Sequence, residues 1–395
     1  MLMKIGQYSD SFLPIVDGVG RVVLSYAETL GQMGHSCYVF APMADMGYLG
    51  NYHFQVIDYN TLQMPGKMPY RVGLPQLDAR FERRVKHTKL DIVHVHAPFM
   101  LGFSGLHLAK KRGLPLVGTF HSKYYDDFRS VLKVDSLARL GVKQVVDFYN
   151  QCDEVWAVSE TSAETLKSYG FTREVTVMEN GTDVRPLDET VLPELRTRFS
   201  LMEDVPMLLY VGQMNWKKNL LRTLEAAALL RSRGMRFHVL LAGQGPHLKE
   251  IEKKTAELGM EDCVTFTGHI TTTRELDGLY ALADLFIFPS LYDNAPMVLR
   301  EAAAMGTPAV LISGSNAAEY VHHGQNGITC EDDTISLAEA ITTALSDRSL
   351  LAQMGQAARE TIPIPWTVLM KRVEARYAAL IDRVSQSASF PSSME

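Results

Sequence analysis

Phe288-Pro-Ser-Leu-Tyr-Asp293-Asn-Ala-Pro296-Met-Val-Leu-Arg-Glu301-Ala-Ala-Ala-Met-Gly306-Thr-Pro308 is the stretch from which the chain can be read. An apolar run, Leu285 to Pro289, leads into it, and another, Ala309 to Ile312, leads out. Short runs that are apolar throughout predict strands buried on both faces of a parallel sheet. Between them lie a polar loop and a helix predicted to start near Met297.

The same alternation extends in both directions. Met207 to Val211, His238 to Ala242 and Thr265 to Gly268 predict further strands upstream, with helical segments between them. Before them stands a separate series: Ile5 to Tyr8, Ser36 to Ala41, Ile92 to His96, Leu116 to Thr119 and Glu154 to Val158. Two such series predict an α/β protein of two doubly wound, Rossmann-like domains. The expected division is an N-terminal domain over residues 1–185, a polar linker over 186–204 containing Pro186 and Pro193, and a C-terminal domain over 205–385. The last amphipathic helix, 366–384, is a candidate to pack back on the N-terminal domain, and the Ser-rich end, 386–395, is expected to be disordered. Ligands of open parallel sheets bind beyond the carboxyl ends of the strands, so two facing sheets predict a cleft between the domains.

Composition sets outer bounds. With 395 residues, 46% hydrophobic and 21% charged, the chain is an ordinary globular protein rather than a disordered, fibrous or disulfide-stapled one. The net charge of −6 argues against a nucleic-acid partner. It also averages over unlike halves: residues 1–185 hold 20 Lys and Arg against 19 Asp and Glu, and the remainder 19 against 26. Cys37, Cys152, Cys263 and Cys330 form no metal-ligand pattern and are expected to be reduced, mostly buried thiols, with no metal in the site. No signal-peptide pattern is present and no apolar stretch approaches the ~20 residues of a spanning helix. The expected location is cytoplasmic, with contact to a membrane from one side at most.

The opening stretch also carries chemistry. Asp293 falls just before a helix N-terminus, where free backbone N–H groups favour anions, and Glu301 lies one turn into the helix. Two carboxylates beside an anion site suit a ligand bearing both hydroxyls and phosphates. An acidic residue that merely complements the helix dipole, worth ~0.3–1 kcal/mol, is the competing reading.

This segment resembles the two-glutamate signature of retaining GT-B glycosyltransferases of family 4, in which two acids are separated by seven residues, as Asp293 and Glu301 are. The resemblance covers nearly the whole chain and implies the GT-B fold, with a nucleoside diphosphate sugar as co-substrate and no other cofactor. It implies that Asp293 binds donor-sugar hydroxyls, that Glu301 binds the nucleotide ribose, and that Asn294, Ala295, Pro296, Met297 and Val298 line the donor. Asp293 is one methylene shorter than the family's glutamate. Val211-Gly212-Gln213-Met-Asn-Trp-Lys217-Lys218-Asn219 is similar to the phosphate loop, with Lys218 matching the family lysine and Gln213 standing where arginine is usual. Ala242-Gly243-Gln244-Gly245-Pro246 and Val264 to Gly268-His269-Ile270 resemble segments that line the donor and its nucleobase; alone, each reads as an ordinary turn. Gly314 to Glu319 matches the loop after the next strand, with Glu319 structural.

In the first half, Phe12 to Gly20 resembles the glycine loop, placing Gly18 near the donor phosphates, and Thr119-Phe-His121-Ser122 matches the histidine that reaches the donor sugar and phosphate. His94 and His96 are read as structural, one on each side of their strand. The catalytic set is therefore His121, Lys218 and Asp293, with no covalent nucleophile. Retention follows the family's front-face substitution.

Asp91 to Gly105 and Thr119 to Phe128 resemble a subgroup that includes bacterial diacylglycerol glucosyltransferases at the cytoplasmic membrane surface. UDP-glucose is then the leading donor and a diacylglycerol-type lipid the leading acceptor. A soluble or polysaccharide glycan acceptor, a nucleotide-sugar epimerase and a non-catalytic nucleotide-sugar-binding partner remain as alternatives. Leu77, Phe81 and Val85 form an apolar stripe edged by Arg80, Arg83, Arg84, Lys86 and Lys89, a candidate contact with anionic membrane that ordinary packing explains equally well.

Overall fold

A computed structural model describes residues 1–13, 17–42, 51–63 and 71–389. The chain divides into two compact units, one of Met1–Gly181 with Trp366–Glu395 and the other of Thr182–Pro365.

The first unit is built on seven strands: β1 (Lys4–Tyr8), β2 (Ser36–Ala41), β3 (Phe54–Asp58), β4 (Ile92–Val95), β5 (Leu116–Phe120), β6 (Glu154–Ala157) and β7 (Thr176–Val177). They lie in the order β3-β2-β1-β4-β5-β6-β7, every pairing parallel. Ile5, Val39, Val93, Val117 and Val155 are buried, as continuous apolar strands covered on both faces require. The strand order reverses between β1 and β4, which open a crevice at their carboxyl ends.

The last helix, Trp366–Ser389, belongs to this unit. Its Trp366 ring sits where a Cβ on Gly181 would come within 2.4 Å of it, and meets Tyr26 edge-on at 5.9 Å between centroids. Glu154 on β6 accepts from Arg376 Nε at 2.7 Å and Arg383 Nη2 at 3.3 Å.

The second unit has six parallel strands: β8 (Met207–Val211), β9 (His238–Ala242), β10 (Val264–Gly268), β11 (Leu285–Phe288), β12 (Ala309–Ile312) and β13 (Gly327–Cys330). Their order is β10-β9-β8-β11-β12-β13, with the reversal between β8 and β11.

Some expectations need correction. Residues 186–204 are not a free linker. They form the 3-10 turn Glu189–Val191 and the helix Leu192–Arg198, whose Val191 and Leu195 are fully buried in the second unit's core. Arg185 also pairs with Asp277 at 2.6 Å, fixing the start of that stretch to the same unit. The helix continues through 386–389, so this part of the expected tail is ordered; 390–395 lie outside the described residues. The stripe on the helix Ala79–His87 faces inward: Phe81 is 0% and Val85 7% exposed, and only Leu77 stays outside. Arg80 and Arg84 reach Asp58 at 3.4 and 3.0 Å. Packing, not lipid, accounts for that stripe.

Candidate functional site

The expected donor residues of the second unit all stand at the carboxyl edge of its sheet. Gly212, Gln213 and Lys218 follow β8, Gly243 follows β9, His269 and Ile270 follow β10, and Asp293 to Val298 follow β11. The loops after β8 and β11 flank the reversal in strand order, the place where such sheets open to a ligand.

Lys218 Nζ bonds Asp293 Oδ1 at 2.6 Å across this point. Ser290 Oγ donates to the other oxygen, Oδ2, at 2.5 Å. The aspartate is thereby held by one donor from each loop. A lysine has three donors, so Lys218 can hold Asp293 and still meet a phosphate oxygen. Lys217 and Lys218 each place Nζ 5.3 Å from the Tyr292 ring centroid, a cation–π arrangement that keeps both ammonium groups over the loop. Asn219 adopts a left-handed conformation (φ 59°) and donates through Nδ2 to the Pro289 carbonyl at 3.2 Å and to Asp332 at 2.8 Å, tying the end of the β8 loop to the end of β11.

Glu301 lies on the helix Met297–Ala304, whose cap residue is Pro296. Tyr280 OH donates to Glu301 Oε2 at 3.1 Å and fixes that carboxylate from a neighbouring helix. Asn316 Nδ2 donates to Asn294 Oδ1 at 2.9 Å and pins the loop from the next strand–helix connection. Ser290 and Asn316 lie inside stretches the sequence marks out and Tyr280 outside them, but tertiary contact alone reveals what each of the three holds.

Gly243 shows why glycine is needed there. Its φ is +143°, and a Cβ would fall 1.9 Å from the Gly212 carbonyl oxygen. The two loops close on each other because neither carries a side chain at that point. The Gly243 N–H also donates to the Gly268 carbonyl at 2.8 Å, so the turns after β8, β9 and β10 form one backbone surface. His269 is exposed, Ile270 is half-buried and Gln213 is exposed, so these three are available rather than built in.

His121 and Gly18 belong to the first unit. Asp17 caps the helix Gly18–Gln32, accepting from Gly20 N at 2.7 Å and from Ser11 Oγ at 2.5 Å. A Cβ on Gly18 would meet nothing within 4 Å. Pro14 to Val16 of the expected glycine loop lie outside the described residues.

His121 follows β5 directly and takes part in a polar network. Its Nε2 lies 3.1 Å from His96 Nδ1, and His96 Nε2 lies 2.7 Å from Gln7 Oε1. Gln7 Nε2 donates to Tyr377 OH at 3.3 Å, and that hydroxyl lies 2.5 Å from His94 Nδ1. His94 and His96 share one face, their rings 4.1 Å apart, because residues two apart in a strand point the same way; the expectation of opposite sides fails on that period. Burial holds all three imidazoles neutral, His121 being lowered to about 3 and the other two well below their ordinary range. If the Gln7 oxygen faces His96, then His96 carries its proton on Nε2, and neutral His121 must donate from Nε2 and present Nδ1 as an acceptor.

Asp10, at the carboxyl end of β1, was not singled out by the sequence. Its Oδ1 accepts from Leu101 N at 2.9 Å, and burial raises its carboxyl to about 6.

Comparison with known proteins follows the same division. Residues 16–185 match the Glycosyltransferase Family 4 model, and residues 193–361 match Glycosyl transferases group 1. An alpha-monoglucosyldiacylglycerol synthase of Streptococcus pneumoniae is 27% identical over 322 residues, covering 78% of this chain and 70% of that protein. A GDP-mannose-dependent alpha-mannosyltransferase of Corynebacterium glutamicum is 25% identical over 394 residues, 96% of this chain and 89% of the relative. Among solved structures, Anabaena Alr3699/HepE in complex with UDP and glucose superposes with a TM-score of 0.78 at 19% identity, covering 95% of this chain and 100% of that one.

Proposed function

The chain belongs to the GT-B glycosyltransferases of family 4 and group 1, enzymes that move a sugar from a nucleotide sugar, and from that premise we propose that it transfers glucose from UDP-glucose, with retention, to a hydroxyl of a diacylglycerol-type lipid at the cytoplasmic face of a membrane. The observation that carries the reading is the Lys218–Asp293 pair at the strand-order reversal of the second unit. It sets a cation and a hydroxyl-binding acid side by side, as a sugar diphosphate demands. Similarity to the pneumococcal synthase supports glucose and the lipid.

In this reading Glu301, steadied by Tyr280, holds the ribose, and Asp293 and His121 orient the sugar. Lys218 and the helix start after Pro296 take up the negative charge that develops on the diphosphate, the kind of preorganised stabilisation that is usually the largest catalytic contribution. The bond from the anomeric carbon to the phosphate oxygen breaks, and the acceptor oxygen bonds the same face. The acceptor proton passes to the departing diphosphate. No further cofactor is invoked, since Lys218 supplies the counter-charge.

Mass spectrometry of products from UDP-glucose, UDP-galactose and GDP-mannose, offered with diacylglycerol and with soluble glycans, tests donor and acceptor together. An α-glucosyl lipid by NMR supports the proposal. A mannosylated product, the reading favoured by the corynebacterial relative, replaces it. Donor binding with no transfer to any acceptor makes the chain a nucleotide-sugar-binding partner instead.

A further inference from the structure

Asp277 is buried in the helix Thr273–Leu282 of the second unit, only 6% exposed. A carboxylate in that position needs a cation, and Arg185 supplies it side-on. Its Nε donates to Oδ2 at 2.6 Å and its Nη2 to Oδ1 at 3.0 Å. This fork uses two of the five N–H groups of a guanidinium and leaves the edge formed by Nη1 and Nη2 for other partners. Asp183 stands 3.5 Å from Nη1, but its side chain is 61% exposed, and such a pair is weak in water. The Arg185 side chain is itself 34% exposed, so part of it meets solvent.

The helix that holds Arg185 also steadies Glu301. Asp277 and Tyr280 are three residues apart and therefore neighbours on one helical face. Tyr280 donates to Glu301 Oε2 at 3.1 Å. The helix follows β10, so it starts at the carboxyl edge of the sheet, where the loops after β8, β9 and β11 also emerge. Asp277 lies about one turn nearer to that edge than Tyr280. Helical side chains lean toward the start of their own helix, which carries the Asp277 carboxylate further the same way. Arg185 is thus set on the ligand side of the Tyr280–Glu301 contact. Hydrogen bonding to Asp277, and beyond it the charges of Asp183 and Glu301, hold the guanidinium above its ordinary value against the opposing effect of burial. A fixed cation stands beside a fixed carboxylate.

A pair of vicinal hydroxyls suits this arrangement. Each hydroxyl has a proton to give and lone pairs to fill. A carboxylate only accepts, so Glu301 by itself leaves the lone pairs of a ribose diol to water. A guanidinium only donates, and a planar edge such as Nη1 with Nη2 meets two oxygens at once. We propose that Arg185 is a second ribose-binding residue, donating to the diol oxygens whose protons Glu301 accepts, and that it makes the site select ribonucleotides over nucleotides without the diol. Asp277 is then its positioning residue. The proposal deepens the reading of Glu301 as the ribose acid and rests on it.

Isothermal titration of the full chain with UDP and with 2′,3′-dideoxy-UDP, or with the matching guanosine pair if GDP is the nucleotide bound, is the test. Wild type binds UDP at least about tenfold more tightly than the dideoxy form. Arg185→Gln with Asp277→Asn leaves no buried charge unpaired; it weakens UDP at least about fivefold and keeps the dideoxy form within about twofold of wild type. Arg185→Lys keeps a cation beside Asp277 but not the planar edge; it serves if the neutral pair lowers the melting temperature, and it weakens UDP at least about threefold. The proposal is overturned if wild type binds both nucleotides alike, if the variants leave UDP unchanged, or if they weaken both nucleotides equally, the mark of a clamp that holds only the chain. Glu301→Ala separates the two readings. If it abolishes the preference for UDP while the Arg185 variants keep it, Glu301 meets the ribose and the proposal for Arg185 falls. If it keeps the preference while the Arg185 variants lose it, the ribose reading of Glu301 falls and the contact of Arg185 with the diol stands.

Discussion

Lys218 and Asp293 are bound to each other at 2.6 Å, although they come from loops 75 residues apart in sequence. The cation proposed to face the diphosphate thus also positions the acid proposed to face the sugar. Lys218→Ala should cut transfer at least tenfold, equivalent to about 1.4 kcal/mol of barrier, with no change in fold by circular dichroism. Asp293→Asn should cut it as well, and the double variant should lose little more than Lys218→Ala alone, because the two act as a unit. Steady-state kinetics on the three variants measure this; wild-type activity in Lys218→Ala would sink the assignment.

Tyr280 gives a finer test. Its hydroxyl steadies Glu301, the acid proposed to hold the ribose. A neutral donor to a carboxylate is worth about 1 kcal/mol net, so Tyr280→Phe should raise the donor KM about fivefold and leave kcat nearly unchanged. Glu301→Ala should lower kcat/KM at least about tenfold. Equal losses of kcat in both variants would mean that Tyr280 does more than hold its neighbour.

Two glycines make opposite predictions. Gly243→Ala drives a methyl into the Gly212 carbonyl at a positive φ, so the melting temperature should fall and donor affinity with it. Gly18→Ala meets no protein atom and should leave the melting temperature within a degree or so of wild type. If Gly18→Ala nonetheless lowers transfer, the methyl is meeting substrate. Thermal melts run beside donor titrations separate these outcomes.

Buried neutral imidazoles make stability depend on pH with a definite sign. His121 takes up its proton near 6.5 when unfolded but only at about 3 when folded, and His94 and His96 are shifted in the same direction. The unfolded chain therefore binds more protons below pH 6.5, and stability should fall as pH drops from there toward 3. Asp10 works the other way, since its carboxyl is raised from 3.8 to about 6 and stability contributed by it is lost as pH rises through that window. Urea midpoints between pH 4 and 7 should show a net fall on acidification. His121→Gln should flatten the slope and Asp10→Asn should steepen it.

Much of this molecule can be read in its residues. Strands such as Met207–Val211 and Leu285–Phe288 are apolar at every position, and no other element type accounts for that in so short a run. The candidate site was legible where one motif carried several of its polar groups, as from Asp293 to Glu301. Three strands of the two parallel sheets escaped. Phe54–Asp58 lies at a sheet edge and mixes polar with apolar residues, Thr176–Val177 is two residues long, and Gly327–Cys330 begins with glycine. The partners Gln7 and Tyr377 meet across 370 residues, a distance at which local pattern carries nothing. The stripe on the helix Ala79–His87 stayed open between two readings for a related reason: periodicity says that a face is apolar, and only packing shows that Phe81 and Val85 turn to the core.

The return of the helix Trp366–Ser389 to the first unit has a consequence for how this protein can be cut and recombined. Topologically, Thr182–Pro365 is an insert within its companion, entered at Gly181 and left at Trp366. A chimera that borrows a relative's matching segment needs two junctions, not one. A fragment stopped at residue 181 would forfeit Tyr377, leaving Gln7 and His94 without the hydroxyl they share, and would uncover the Trp366 seat beside Gly181. An exchange is therefore best made by grafting the interior segment whole, with both ends of the host retained.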